Sequence, residues 1–274
     1  MGVFIALAVA AMAGLMYKVP VMQRADIKRI DKALHSHVYC QQEAVDSLMK
    51  HIQHYASIGH KGPVLLFLSG PEGSGKTHTI NTLLEVNPTW TKIIATHEQG
   101  HFNQMEKDEL VSAVRAKLHS SILNFIFVDD VPSLHEGTSF VELKLKPLLK
   151  SLKFDDSLVF VVITRLSWNG KAIPPAYLRD EYEYQVVPYR GMNRSCVTRC
   201  VLDVILALDG DLRRVDLEGL LDQFDMVRGI DGQQVSVDGC KSAPIKVAIY
   251  MVGDPPDHDD DDDDEKDDKD NRAT

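Results

Sequence analysis

Val64-Leu65-Leu66-Phe67-Leu68-Ser69-Gly70-Pro71-Glu72-Gly73-Ser74-Gly75-Lys76-Thr77 joins an unbroken apolar run to a glycine-rich octet, and the reading of this junction decides the fold. Five successive apolar side chains, preceded by Gly62-Pro63, suit a strand covered on both faces, because polar alternation is lost only when neither face meets water. Residues 70–77 fit the pattern G-x-x-x-x-G-K-[ST] in full. Lys76, Ile80, Leu83 and Leu84 then open a helical pattern. Strand, glycine turn and helix N-terminus thus follow in the order a phosphate cradle requires. Glycines let backbone N–H groups curl around an anion without a Cβ in the way, and the helix end adds partial positive charge. The expected contacts to ATP are Gly70, Pro71, Glu72, Gly73, Ser74, Gly75, Lys76, Thr77 and His78. Lys76 would reach the β- and γ-phosphates, and the Thr77 hydroxyl would complete a Mg2+ shell.

Outward from the junction the same strand signature recurs at residues 92–95, 125–128, 158–163 and 184–187, with helical patterns at 107–118 and 141–152 between several of them. Strands alternating with helices predict an α/β fold with a parallel five-stranded sheet flanked by helices. Upstream, Val45, Leu48, Ile52 and Tyr55 recur at three- and four-residue intervals and predict an amphipathic helix. From Met192 onward, Val197, Val201, Val204, Ile205, Leu217, Leu220 and Leu221 fall at helical spacing and predict a small helical subdomain. The expected organisation is a targeting or anchoring segment at 1–20, a large nucleotide-binding domain at 21–190, the small subdomain at 191–252 and a disordered acidic tail at 253–274.

A phosphate loop needs an acidic partner on a neighbouring strand. Phe125-Ile126-Phe127-Val128-Asp129-Asp130 ends four apolar residues in two carboxylates, so Asp129 is expected to hold Mg2+ and Asp130 to polarise the attacking water. Thr164, at the end of the next apolar run, is expected to orient that water. His97-Glu98-Gln99-Gly100-His101 satisfies the zinc-protease pattern H-E-x-x-H, but that chemistry needs both histidines on one helix face. Gly100 and the preceding strand signal make the segment a loop, and zinc is not expected there.

Composition narrows the function classes. With 44% hydrophobic and 7% aromatic residues the chain has an ordinary globular core, so disorder is not the default. The net charge of −10 sits almost wholly after residue 253, where Asp259 to Asp264 are consecutive, so no charged folded surface is implied. No stripe of Lys and Arg interleaved with aromatics argues for nucleic acid. The apolar run at residues 3–17 is too short for a comfortable membrane span and reads as a signal peptide or a peripheral membrane anchor. Entry into the secretory pathway would permit disulfides among Cys40, Cys196, Cys200 and Cys240. Spacing alone leaves their pairing open.

The order of these features resembles the AAA+ superfamily, and the detail resembles its torsin branch. His37-Val38-Tyr39-Cys40-Gln41-Gln42-Glu43-Ala44-Val45 is similar to the segment before the phosphate loop in torsins and Clp-type ATPases, with Cys40 where a glycine is usual. Ala95-Thr96-His97 with His101-Phe102 is similar to the torsin second strand and the histidine-containing stretch after it. Gly239-Cys240-Lys241-Ser242 resembles the torsin Gly-Cys-Lys-Thr signature. The resemblance implies that Lys241 contacts the nucleotide and that Cys240 pairs with Cys200 when oxidised. It also implies a homo- or hetero-oligomer acting on protein clients in the endoplasmic reticulum lumen and nuclear envelope, with a membrane-anchored activator donating an arginine finger. Three positions depart from the pattern: Thr77 stands for asparagine, Asp130 for glutamate and Thr164 for asparagine. Two functions therefore remain, a torsin-like ATPase and an ATP-binding scaffold deficient in hydrolysis.

Overall fold

A computed structural model describes residues 21–94, 105–119, 123–131, 134, 138, 140–166, 174–208, 215–229 and 232–252. The segment at 1–20, the His97–His101 stretch and the acidic tail lie outside the described residues. In chain order the elements are α1 (Val21–His37), α2 (Gln42–Ser57), β1 (Gly62–Gly70), α3 (Lys76–Val86), β2 (Thr91–Ile94), α4 (Lys107–Arg115) and β3 (Asn124–Val131). A π-helical turn (Val141–Leu145) leads into α5 (Lys146–Leu152), followed by β4 (Leu158–Leu166), α6 (Ala176–Arg179) and β5 (Glu183–Pro188). The chain then forms α7 (Arg194–Ala207), α8 (Leu217–Leu221), β6 (Met226–Arg228), β7 (Gln234–Ser236) and α9 (Ala243–Val252).

The five strands form one parallel sheet in the order β2-β3-β4-β1-β5. Helices cover both faces, so the expected α/β class holds. Strand parity sorts the apolar runs between the two layers. Val64, Leu66, Leu68, Phe125, Phe127, Phe160 and Val162 face α1, α2 and α3, while Leu65, Phe67, Ile126, Val128, Val159, Val161 and Ile163 face α4 and α5. Each fully buried side chain of this kind contributes roughly 1.5–3 kcal/mol. On the first face Trp90 packs tilted against Phe125, and Phe125 stacks on Phe160, with ring centroids 4.4 and 5.0 Å apart, and the Trp90 indole N–H donates to the Leu123 carbonyl. The amphipathic helix expected around residues 45–55 is α2, which buries Val45, Leu48, Ile52 and Tyr55.

A third apolar cluster joins α7, α8 and α9 through Val197, Val201, Ile205, Leu220, Leu221 and Val247. The antiparallel pair β6–β7 accompanies these helices, an element the helical spacing does not announce. Two disulfides fix this unit. Cys200 bonds Cys240, within the unit, and Cys40 bonds Cys196, tying the turn between α1 and α2 to the first turn of α7. Around that second bond the Gln41 amide donates to the Arg190 carbonyl at 2.8 Å and accepts from the Arg190 N–H at 3.0 Å, and the Arg199 guanidinium lies 4.0 Å from the Tyr39 ring centroid.

Cys40, in the position where the resemblance puts glycine, has φ +57°, in the left-handed region that costs a residue with a Cβ roughly 1–2 kcal/mol. The disulfide to Cys196 offsets that strain. With both cystines reduced, Cys40→Gly is expected to be more stable than Cys40→Ala by about 1 kcal/mol in urea unfolding. Under oxidising conditions both variants are expected to fall below the native chain by about 2–4 kcal/mol, the usual contribution of a disulfide.

Candidate functional site

The site lies at the carboxyl ends of β1, β3 and β4. Gly70 ends β1, Gly73 and Gly75 take φ of +65° and +94°, and α3 starts at Lys76. The Ser74 hydroxyl donates to the Pro71 carbonyl at 2.8 Å and holds the turn closed. The Lys76 ammonium donates to the carbonyls of Gly70 at 3.0 Å and Pro71 at 2.6 Å and to the Ser74 hydroxyl at 3.2 Å, so it is folded back over the loop. Burial pushes the Lys76 ammonium down to about 8, against the opposing pull of Glu72, Asp129 and Asp130.

Strand parity explains why the acids and hydroxyls meet. Asp129 continues the Phe125–Phe127 face of β3, Thr164 continues the Phe160–Val162 face of β4, and both point under α3. Asp129 is 2% exposed. Its Oδ1 accepts from the Thr77 hydroxyl at 3.1 Å, the Thr164 hydroxyl at 2.7 Å and the Asp130 N–H at 3.2 Å. Its Oδ2 faces the Lys92 ammonium at 3.1 Å. The expectation that Asp129 stands on a strand neighbouring β1 needs correction, because β4 lies between β1 and β3. Thr77 reaches it because α3 passes over β4 to touch β3.

Asp130 occupies an irregularity in the β3–β4 register and has φ +56°, with its N–H donated to the Thr164 hydroxyl at 2.9 Å and its side chain exposed. Thr164 therefore braces the backbone of Asp130 and the carboxylate of Asp129. His78 turns its ring away from the loop, with Nε2 2.8 Å from the His37 carbonyl, which leaves its backbone N–H as its contribution at the helix start. Lys241 forms an ion pair with Glu72, and that partner raises its affinity for a proton. Both residues are at the surface, so the pair contributes about 0–1 kcal/mol.

The backbone brings Lys241 to the loop. Gly73 and Gly239 touch main chain to main chain: a Cβ on Gly73 would lie 1.7 Å from the Asp238 carbonyl oxygen, and one on Gly239 would lie 2.2 Å from the Gly73 carbonyl oxygen. Only glycine allows this approach at both positions, and both have positive φ. Residues 238–241 thus close one side of the loop.

Three participants stand outside the motifs. Tyr189, fully buried and consequently held well above the usual phenol range, shares a 2.8 Å hydrogen bond with Thr79 and locks α3 to the end of β5. Met192 lies against Gly75. Lys92 is the third, and its only sequence signal is a cation inside the short run Thr91-Lys92-Ile93-Ile94. Thr77 and Asp129 offer the hard oxygen donors that Mg2+ takes, with water completing the shell, so the residues present fit that ion. Two cavities of about 310 and 350 Å³, both lined by Lys153, Glu181 and Tyr182, open beside the start of β5, at the other end of the strands from the loop. Among the described residues, no helix is long and apolar enough to cross a membrane.

No family model matches the chain. Among solved structures, the crystal structure of the FIGL-1 AAA domain is similar to it with a TM-score of 0.38 and 18% identity, covering 60% of this chain. The match spans 55% of that protein's length.

Because the folded state releases the Lys76 proton near pH 8 while the unfolded chain keeps it to about 10.5, stability should rise with pH across that window. Lys76→Met is expected to remove this rise, read as the difference between native and variant denaturation midpoints at pH 7.5 and pH 10, values chosen roughly to bracket the window.

Proposed function

We propose that this chain is an ATP-binding AAA+ ATPase of the torsin branch, coupling ATP binding and hydrolysis to the remodelling of protein or membrane assemblies. The observation that carries the ATP reading is the 3.1 Å bond from the Thr77 hydroxyl to Asp129 immediately beneath a complete G-x-x-x-x-G-K-T loop. A hydroxyl at the helix start and a buried carboxylate one strand beyond form the two protein corners of a nucleotide–magnesium site. The resemblance of residues 37–45 and 239–242 to torsins supports the branch. Two disulfides suit an oxidising compartment and support the endoplasmic reticulum lumen and nuclear envelope as the location.

In this reading the N–H groups of Gly73, Gly75, Lys76 and Thr77 would hold phosphate, and Lys76 would leave the Gly70 and Pro71 carbonyls to meet it. An anion there restores the proton affinity that burial removes, so the ammonium stays charged when phosphate is bound. Magnesium, when bound, neutralises charge building on the transferring phosphate. Thr77 and Asp129 would hold that ion, and Asp130 would accept the proton of the attacking water. Lys241, now paired with Glu72, would turn to the nucleotide. Oligomer neighbours, a membrane-anchored activator that supplies an arginine, protein clients, and membrane attachment through residues 1–20 complete the torsin reading.

A second reading, an ATP-binding scaffold without turnover, is favoured by one observation. Asp130 is one methylene shorter than glutamate and sits on a left-handed backbone braced by Thr164, so its reach toward an in-line water is reduced. Equilibrium binding of a fluorescent ATP analogue to the full chain tests the common premise. Lys76→Ala is expected to weaken it about 10- to 100-fold, and equal binding by the variant would overturn the site. Phosphate release separates the two readings: turnover by the native chain supports the ATPase, whereas turnover seen only in Asp130→Glu supports the scaffold.

A further inference from the structure

Lys92 belongs to no nucleotide-binding pattern in the sequence, yet its ammonium pairs with the buried carboxylate of the site, Asp129. In the β2–β3 register Lys92 stands beside Phe127, so its side chain leaves the sheet on the face that carries Asp129. Its Nζ lies 3.1 Å from Asp129 Oδ2 and donates to Asn81 Oδ1 at 3.0 Å. Acceptors on two different elements, β3 and α3, thus hold the ammonium in one position. The side chain is only 23% exposed, which limits screening by solvent.

On the other oxygen, Asp129 Oδ1 already accepts two hydroxyls and one main-chain N–H. The carboxylate is therefore fully coordinated by protein groups, and its charge is balanced by a fixed cation. A divalent ion drawn to Thr77 would share that carboxylate with the lysine and feel its repulsion at short range in a poorly screened setting. The same positive charge would attract the nucleotide itself, so it compensates for the metal in holding phosphate.

We propose that Lys92 is a built-in counter-cation for Asp129, a positioning residue that weakens the magnesium requirement of the nucleotide site. This inference rests on the ATP reading above. It predicts that the native chain binds ATP in the presence of a chelator nearly as well as with magnesium, and that the magnesium concentration for half-maximal enhancement is high.

The test is binding of a fluorescent ATP analogue to the full chain, titrated with Mg2+ from excess EDTA upward, with the Mg2+ midpoint and the ratio of the two limiting affinities as readouts. Lys92→Met is expected to lower the Mg2+ midpoint on the order of tenfold and to weaken binding in EDTA, while Lys92→Arg retains the native values. If Lys92→Met does not fold, Lys92→Gln supplies the same comparison. An unchanged Mg2+ midpoint in an uncharged variant that still binds ATP overturns the inference, even if its melting temperature falls, because a structural role alone would give that result. Failure of the native chain to bind the analogue at any Mg2+ concentration instead overturns the ATP reading itself.

Discussion

A carboxylate removed from water must be met by donors, and the arrangement around Asp129 shows how much of this molecule meets that demand. Two hydroxyls, one main-chain N–H and one ammonium converge on it from α3, β4, β3 and β2. Each donor depends on a larger feature: Thr77 on the start of α3, Thr164 on the parity of β4, the Asp130 N–H on the left-handed turn in β3, Lys92 on the register of β2. Removing any one donor leaves a buried acceptor short of a partner, at a cost of about 1–3 kcal/mol. The same convergence brings the polar groups of the site beneath the loop, so the stability of the sheet's end and the chemistry of the site share one set of contacts.

A second constraint acts at the loop's rim. Gly73 and Gly239 approach so closely that neither accepts a side chain, which makes the segment 238–241 a wall of the site. That wall belongs to the third apolar cluster, and Cys200–Cys240 fastens it to α7. The position of Lys241 is therefore set by packing some distance away, among Val197, Val201 and Val247, as well as by its ion pair with Glu72.

The chain announces in advance whatever is written locally. The run Val64-Leu65-Leu66-Phe67-Leu68 announces a two-face strand, the octet at 70–77 announces the turn and helix, and Phe125 to Asp130 announces a strand ending in acids. Strand order is not legible, because nothing in residues 124–131 says which strand lies beside them, and the sequence expectation puts Asp129 one strand too close. Lys92 carries no local signal beyond a cation in a short apolar run, because its significance comes from register across a 35-residue gap to Phe127. The three-residue strands β6 and β7 are too short to show a period of two. The Cys200–Cys240 pair agrees with the torsin resemblance, whereas Cys40–Cys196 spans 156 residues and has no sequence signature beyond an odd residue in a glycine's place.

Cys196 and Cys200 stand one turn apart on α7, and their partners lie on opposite sides of the sheet domain's sequence. The shortest covalent route from Cys40 to Cys240 therefore runs through the five residues of that turn and bypasses the roughly two hundred that lie between them along the chain. Tension applied between α1 and α9 therefore has a short covalent path through α7, alongside the non-covalent one through α1, α3 and the Gly73–Gly239 contact.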